Sequence, residues 1–195
     1  MKKILLAALA LIVVALAVLA VIISMQPDEY EVERTATIDA PAGVVYEQVE
    51  DVRRWSDWAP WVKRIPEDKG QHGGADRGEG ATYEWSSEDR DVGTGQMTIL
   101  EANPGEYIEI KLEFFEPYES TTTTSFDFVA VDDDTTEVTW RMTGDNNFLS
   151  KAMSLFLNIE EMIGEDYEKG LANLDEHSRN VVRDAQNTES DDGSE

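Results

Sequence analysis

With 195 residues the chain has room for one domain of ordinary size plus flanking segments, and 41 acidic against 16 basic side chains give it a formal charge of -25. Lys2 and Lys3 are the only charges before Asp28, so the remainder is more acidic still and repels phosphate backbones and anionic headgroups, which argues against a nucleic-acid partner and against a polybasic grip on a bilayer. The absence of cysteine excludes disulfides, a lipid-modified cysteine and thiolate catalysis; the acidity itself reads first as a solvated, self-repelling surface of the kind suited to high salt.

Ile4 to Ile23 is an uninterrupted apolar run of 20 residues, the length of helix that crosses a hydrocarbon core of roughly 30 Å. A cleaved signal peptide has a shorter apolar region and a small-x-small site; Ser24-Met25-Gln26-Pro27 offers no good site, so the run is expected to be retained as a span. The two lysines before it and the acidic residues after it keep the N-terminus cytoplasmic. The expected organisation is a transmembrane anchor over 1–26, a domain over 27–178 on the extracytoplasmic side of the inner membrane, and an acidic tail over 179–195. From Asn187 to Glu195 no apolar residue is available to offset ordering entropy, and this end is expected to be disordered.

Val32 to Ile38 reads as a first strand, closed by Asp39-Ala40-Pro41. Pro41 suits a first helical turn, and Val44, Val45, Gln48 and Val49 form a short helical stripe after it, followed by a second short helix or turn over Asp51 to Trp55. Gly70 to Gly80 is rich in glycine but lacks the Lys-Ser/Thr of a phosphate cradle, and is expected to be a mobile loop. From Ala81 the pattern changes to period two, through Tyr83 and Trp85, Met97 and Ile99, Ile108 to Phe114, Phe126 and Phe128, and Val138 to Met142. Turns fall at Asn103-Pro104-Gly105 and Asp132-Asp133-Asp134, which implies an antiparallel meander. Beyond Gly144 apolar residues from Leu149 to Leu174 recur at spacings of three and four, predicting one long amphipathic helix capped by Asn146 or Asn147, with Gly164 and Gly170 where it passes close to the sheet. The fold class is α+β, a curved antiparallel sheet wrapped on a long C-terminal helix.

This order, with the segment Trp55-Ser56-Asp57-Trp58-Ala59-Pro60-Trp61, the triplet Tyr83-Glu84-Trp85, Gly93-x-Gly95-x-Met97-x-Ile99 and the C-terminal Met162-Ile163-Gly164-x-Asp166-Tyr167-Glu168-x-Gly170-Leu171-x-Asn173-Leu174, resembles the SRPBCC superfamily of START-like proteins, in its bacterial polyketide cyclase/dehydrase group. The resemblance covers about Tyr30 to Leu174. It implies a helix-grip fold with a cavity between sheet and long helix, used across the superfamily for lipids, sterols, polyketides and plant hormones, and it implies no single reaction.

Inward side chains of such a sheet are Tyr83, Trp85, Met97, Ile99, Ile110 and Phe114, followed by Phe126, Phe128 and Trp140; from the helix come Phe156, Ile159, Ile163 and Tyr167. Most of them are expected to be core, and a fraction to line a ligand cavity if the fold leaves a gap. Trp58, with Trp55 and Trp61 at intervals of three, either lids the cavity or seals the core. Tyr167 is either a polar handle for a ligand or a packed tyrosine with its hydroxyl at the rim. No catalytic residue is nominated: His72 and His177 stand apart without a partner, Glu101 falls at a strand end, and no metal spacing or cofactor motif occurs. The expected function is a tethered binding module for an apolar small molecule or lipid; the alternatives are a cyclase- or hydrolase-type enzyme using a cavity carboxylate or tyrosine, and an interaction protein with a filled core.

Overall fold

β-Branched and aromatic residues alternating with polar ones favour strands that bury one face, and the computed structural model, which describes residues 2–89, 92–155 and 158–192, follows that pattern. Helix α1 (Lys2–Ser24) precedes β1 (Glu29–Ile38), α2 (Ala42–Glu50) and the short α3 (Trp55–Trp58). The meander consists of β2 (Gly70–Gly74), β3 (Ala81–Ser86), β4 (Thr94–Asn103), β5 (Tyr107–Glu116), β6 (Ser120–Ala130) and β7 (Thr136–Asp145), and the chain ends in α4 (Phe148–Ser154) and α5 (Ile159–Asp192). The strands form one seven-stranded sheet in the order β1-β7-β6-β5-β4-β3-β2, antiparallel from β2 through β7.

Register carries the inward residues into line: Ile99 faces Ile110 across β4 and β5, and Phe126 faces Trp140 across β6 and β7. Ile99, Ile110, Phe126 and Trp140 are at most 1% exposed. A helix face of Tyr167, Leu171 and Leu174 on α5 is also buried, spaced by four and three as a core-facing stripe requires. The described chain divides into two compact units, one running to Tyr30 and including Asp145 to Ile159, the other comprising Glu31 to Gly144 and Glu160 onward.

Three expectations are corrected. Gly70–Gly74 is an edge strand paired with β3, not a loop. A side chain at Gly70 would overlap the Tyr83 ring, and His72 packs on the same ring at 4.7 Å, so glycine allows the aromatic to lie against the strand. The single C-terminal helix is divided into α4 and α5. Asn147 Oδ1 accepts from Ser150 N at 2.9 Å to cap α4, whereas Asn158 followed by Ile159-Glu160-Glu161 forms a fresh helix start, a cap-type residue and a first turn whose acids complement the macrodipole. Finally, the acidic end does not leave the helix at 179: α5 continues to Asp192, because no glycine or proline occurs from Leu171 to Asp192 and the Arg179–Asp175 pair, at 2.9 Å, supports it from the i,i+4 position.

Candidate functional site

The segment between α2 and β2 is held by its indoles. The last carbonyls of a helix have no partner within it, and here Trp55 Nε1 donates to Val49 O at 2.9 Å while Trp58 Nε1 donates to Gln48 O at 3.1 Å. Both rings are buried. Trp55 packs against Trp58 at 4.8 Å, and Trp61 against Trp140 at 5.3 Å. Asn173 Nδ2 of α5 donates to Trp58 O at 2.9 Å, which ties this segment to the long helix.

Between these tryptophans, the sheet and α5 lies a cavity of about 160 Å³. Tyr83 and Trp85 of β3, Met97 of β4, Leu112 and Phe114 of β5, and Trp140 and Met142 of β7 form its sheet side; Trp55 borders it from α3, Trp61, Ile65 and Val92 from the connecting segments, and Ile163 and Tyr167 from α5. Gly95 makes part of this space, since a Cβ there would stand 2.6 Å from Trp85 Cζ2. The Trp85 indole is in turn fixed by donation to Val92 O at 3.2 Å.

Polar groups at the wall are few. Arg64 and Asp166 also border the cavity, with side chains 41% and 42% exposed, and so stand at its rim. Deep in the wall is Thr124, whose Oγ1 donates to Arg141 O at 2.8 Å and accepts from Trp140 Nε1 at 2.8 Å. With that proton committed, Tyr167 Oη, 3.3 Å away, is the donor of the pair it makes with Thr124. Tyr167 is 4% exposed and its ring stacks on Trp140, so it is a packed tyrosine whose hydroxyl is buried, not one at the rim.

Of the residues nominated from sequence, Tyr83, Trp85, Met97, Phe114, Trp140, Ile163 and Tyr167 border the cavity. Trp58, Ile99, Ile110, Phe126 and Phe128 do not; they are buried in the packed core. Phe156 and the Ile159 side chain lie outside the described residues. Trp55 and Trp61, read with Trp58 as lid or seal, also border the cavity, whereas sequence reasoning missed Arg64, Ile65 and Val92, which come from segments without a period. Leu112, Thr124 and Met142 had a usable signal, since each is two residues from a nominated position on the same strand face.

Neither histidine borders the cavity. Burial, reinforced by Arg53, lowers the His72 pKa while Asp51 opposes the shift. His177 Nε2 donates to the buried Gln48 Oε1 at 3.1 Å, an acceptor shared with Arg54 Nη1 at 2.9 Å. Glu101 is exposed and accepts from Asn103 Nδ2 at 2.8 Å, because the irregularity between Ile99 and Glu101 breaks the alternation that would have turned it inward. Among the described residues no cluster of histidine and carboxylate side chains is arranged to hold a metal.

A curved antiparallel sheet closed over a long C-terminal helix, with an apolar cavity between them, defines the helix-grip class of α+β proteins. Residues 29–179 match the family described as "Polyketide cyclase / dehydrase and lipid transport", and the chain belongs to that family. No curated protein matches it. Among solved structures it is similar to the Zhui aromatase/cyclase from Streptomyces sp. R1128, at 17% identity over 80% of this chain and 98% of that one, with a TM-score of 0.61. It is also similar to a protein from Nitrosospira multiformis, at 21% identity over 79% of this chain and 99% of that one, TM-score 0.56. The di-domain ARO/CYC StfQ from the steffimycin biosynthetic pathway aligns at 11% identity over 79% of this chain but only 52% of its own length, TM-score 0.58. At these identities the likeness is one of fold.

Proposed function

We propose that the chain is a membrane-tethered binding protein for an apolar molecule, taken up between the sheet and α5 on the extracytoplasmic side of the membrane. The observation that carries this reading is the cavity of about 160 Å³ with aromatic, Met and Leu walls. An apolar cavity of about 150 Å³ is large enough to stay dry and bind benzene, so one aromatic ring or a short length of acyl chain fits here, while the roughly 300–1,000 Å³ of a drug-sized pocket would require the half-buried Trp61 to move. The polar end of such a ligand would meet Arg64 and Asp166 at the rim.

The tether in this reading is α1, the one described helix long and apolar enough to cross a membrane. Retained as a span, with Lys2 and Lys3 inside, it holds the domain beside a membrane-soluble ligand. A second reading, an enzyme of cyclase type, is favoured by the aromatase/cyclase neighbour and by the Tyr167 and Thr124 hydroxyls at the wall; family membership leaves the reaction open.

Native mass spectrometry and lipid extraction of the full chain, purified in a mild detergent, test the binding reading, together with uptake of an apolar fluorophore. A co-purifying apolar molecule and saturable fluorophore binding that is lost in Leu112→Trp, a cavity-filling variant with unchanged circular dichroism, are the expected results. An empty protein that takes up no fluorophore would replace this reading with that of an interaction protein whose core is filled.

A further inference from the structure

In a chain this acidic, the longest stretch after Asp28 without an aspartate or glutamate is Asn146 to Ile159. It contains α4, and α4 turns apolar side chains outward: Phe148 is 60% exposed and Leu149 55%, with Leu155 just beyond the helix at 37%. The helix has one charge, Lys151, which is buried and paired with Asp28. Nothing on α4 therefore remains to be desolvated as a bare ion.

The same residues fix where α4 stands relative to α1. Asn146 N donates to Asp28 O at 2.7 Å and Asn146 Nδ2 to Pro27 O at 3.3 Å, and Lys151 Nζ bonds the Asp28 carboxylate. α1 packs on α4, and Ile23 at its end is only 5% exposed. Met25 to Pro27 alone separate the end of α1 from these bonds, and three residues reach at most about 10 Å. The headgroup layer on each side of a bilayer is roughly 5–8 Å deep, so a spanning α1 would hold α4 at that level.

We propose that α4 is an interfacial helix, with Phe148 and Leu149 seated at the headgroup boundary of the same bilayer that α1 crosses, so that the chain grips one membrane at two points. This rests on α1 being a retained span, as proposed above. The bilayer is favoured over a second copy of the chain because two side chains on a two-turn helix cover far less than the roughly 1,200 Å² of a stable interface. Interfacial helices bind by seating an apolar face about 5–10 Å into the boundary between headgroups and acyl chains.

The absence of cysteine makes single-site labelling clean. Nitroxides would be placed singly by Leu149→Cys, Val13→Cys and Asp133→Cys in the full chain, reconstituted into phosphatidylcholine vesicles, and relaxed with oxygen or a water-soluble nickel chelate. The Leu149 label is expected to be protected from the chelate about tenfold relative to Asp133 and to lie shallower than Val13. If Val13 is deep while Leu149 is as accessible to the chelate as Asp133, the span stands and the interfacial helix is wrong. If Val13 is also aqueous, the tether itself fails and this inference with it. Dipolar broadening at Leu149 that vanishes on dilution with unlabelled chain would show a second copy on this face and overturn the bilayer assignment.

Discussion

Tyr167 lies flat on Trp140, with ring centroids 3.8 Å apart and planes within 11° of each other. Two rings stack this closely only where helix and sheet approach without a side chain between them. Gly170, further along α5, provides that approach, since a Cβ there would stand 2.8 Å from Trp140 Cζ3.

Gly170→Ala therefore sets overpacking, about 1–3 kcal/mol, against a helix-propensity gain of up to about 1 kcal/mol, and a net loss of about 1–2 kcal/mol is expected because Trp140 is held by neighbours and cannot yield. Gly164→Ala is the contrast. Its Cβ would first meet the Arg34 guanidinium, a flexible side-chain end that can swing aside at the expense of the partly exposed Arg34–Glu168 pair and the bond to Glu33 O, so that variant should fall within about 0.5 kcal/mol of the parent. Urea midpoints measure both, and equal losses would contradict the close approach at Trp140.

Thr124→Val keeps the shape of the cavity wall but removes the acceptor of the buried Trp140 N–H. A cost of about 1–3 kcal/mol is expected, with Thr124→Ser, which retains the oxygen, nearer the parent. Chemical denaturation followed by tryptophan fluorescence distinguishes the two, and a neutral Thr124→Val would show that the hydroxyl holds nothing in place.

Tyr46 is 4% exposed and its hydroxyl has no hydrogen-bond partner among the described residues. Burial, with Glu50 reinforcing and Arg77 opposing, pushes its pKa up to about 12. A phenol raised in the folded state favours folding while protonated, so its contribution is complete below pH 10 and is lost as the pH rises from 10 to about 12. Tyr46→Phe is expected to be neutral or stabilising by up to about 1 kcal/mol at pH 7, since it removes an unsatisfied buried group. It should also lose less stability between pH 10 and 12. The remaining alkaline loss is shared by Tyr107, likewise pushed up to about 12 by burial and by Glu109, and by Tyr30 and Tyr83, which burial also raises. Denaturation midpoints across this pH range test the assignment.

The net charge of -25 should make the fold salt-dependent. Raising ionic strength from about 0.01 to 0.15 M shortens the screening length from about 30 to 8 Å and relieves self-repulsion, so Tm is expected to rise. A flat or falling Tm would mean that paired charges such as Arg141 with Glu33, at 2.6 Å, outweigh the repulsion.

Much of this architecture was legible in order and period. Period-two runs located β3 through β7, and the stripe through Tyr167, Leu171 and Leu174 located the buried face of α5. The edge strand Gly70–Gly74 was not legible, because glycine has no face to alternate, and what holds it is its pairing with β3, whose Tyr83 ring lies where a side chain at Gly70 would be. The break between α4 and α5 was masked because apolar spacing continued across it.

What the chain determined by itself is local: where apolar residues repeat every two or every three to four positions, backbone geometry turns them to one side, and the fold class and the inward faces follow. Composition likewise determined the apolar length of α1 and the acidity of the rest. Which inward residues pack solid and which leave a gap was decided only in the tertiary structure. Trp58 and Trp61 are three residues apart with the same ring, yet one is fully buried with its indole on a helix-end carbonyl and the other borders the cavity. The difference depends on the separation between α5 and the sheet, set by Gly170 and Trp140 from distant parts of the chain, and no periodicity encodes a distance between elements.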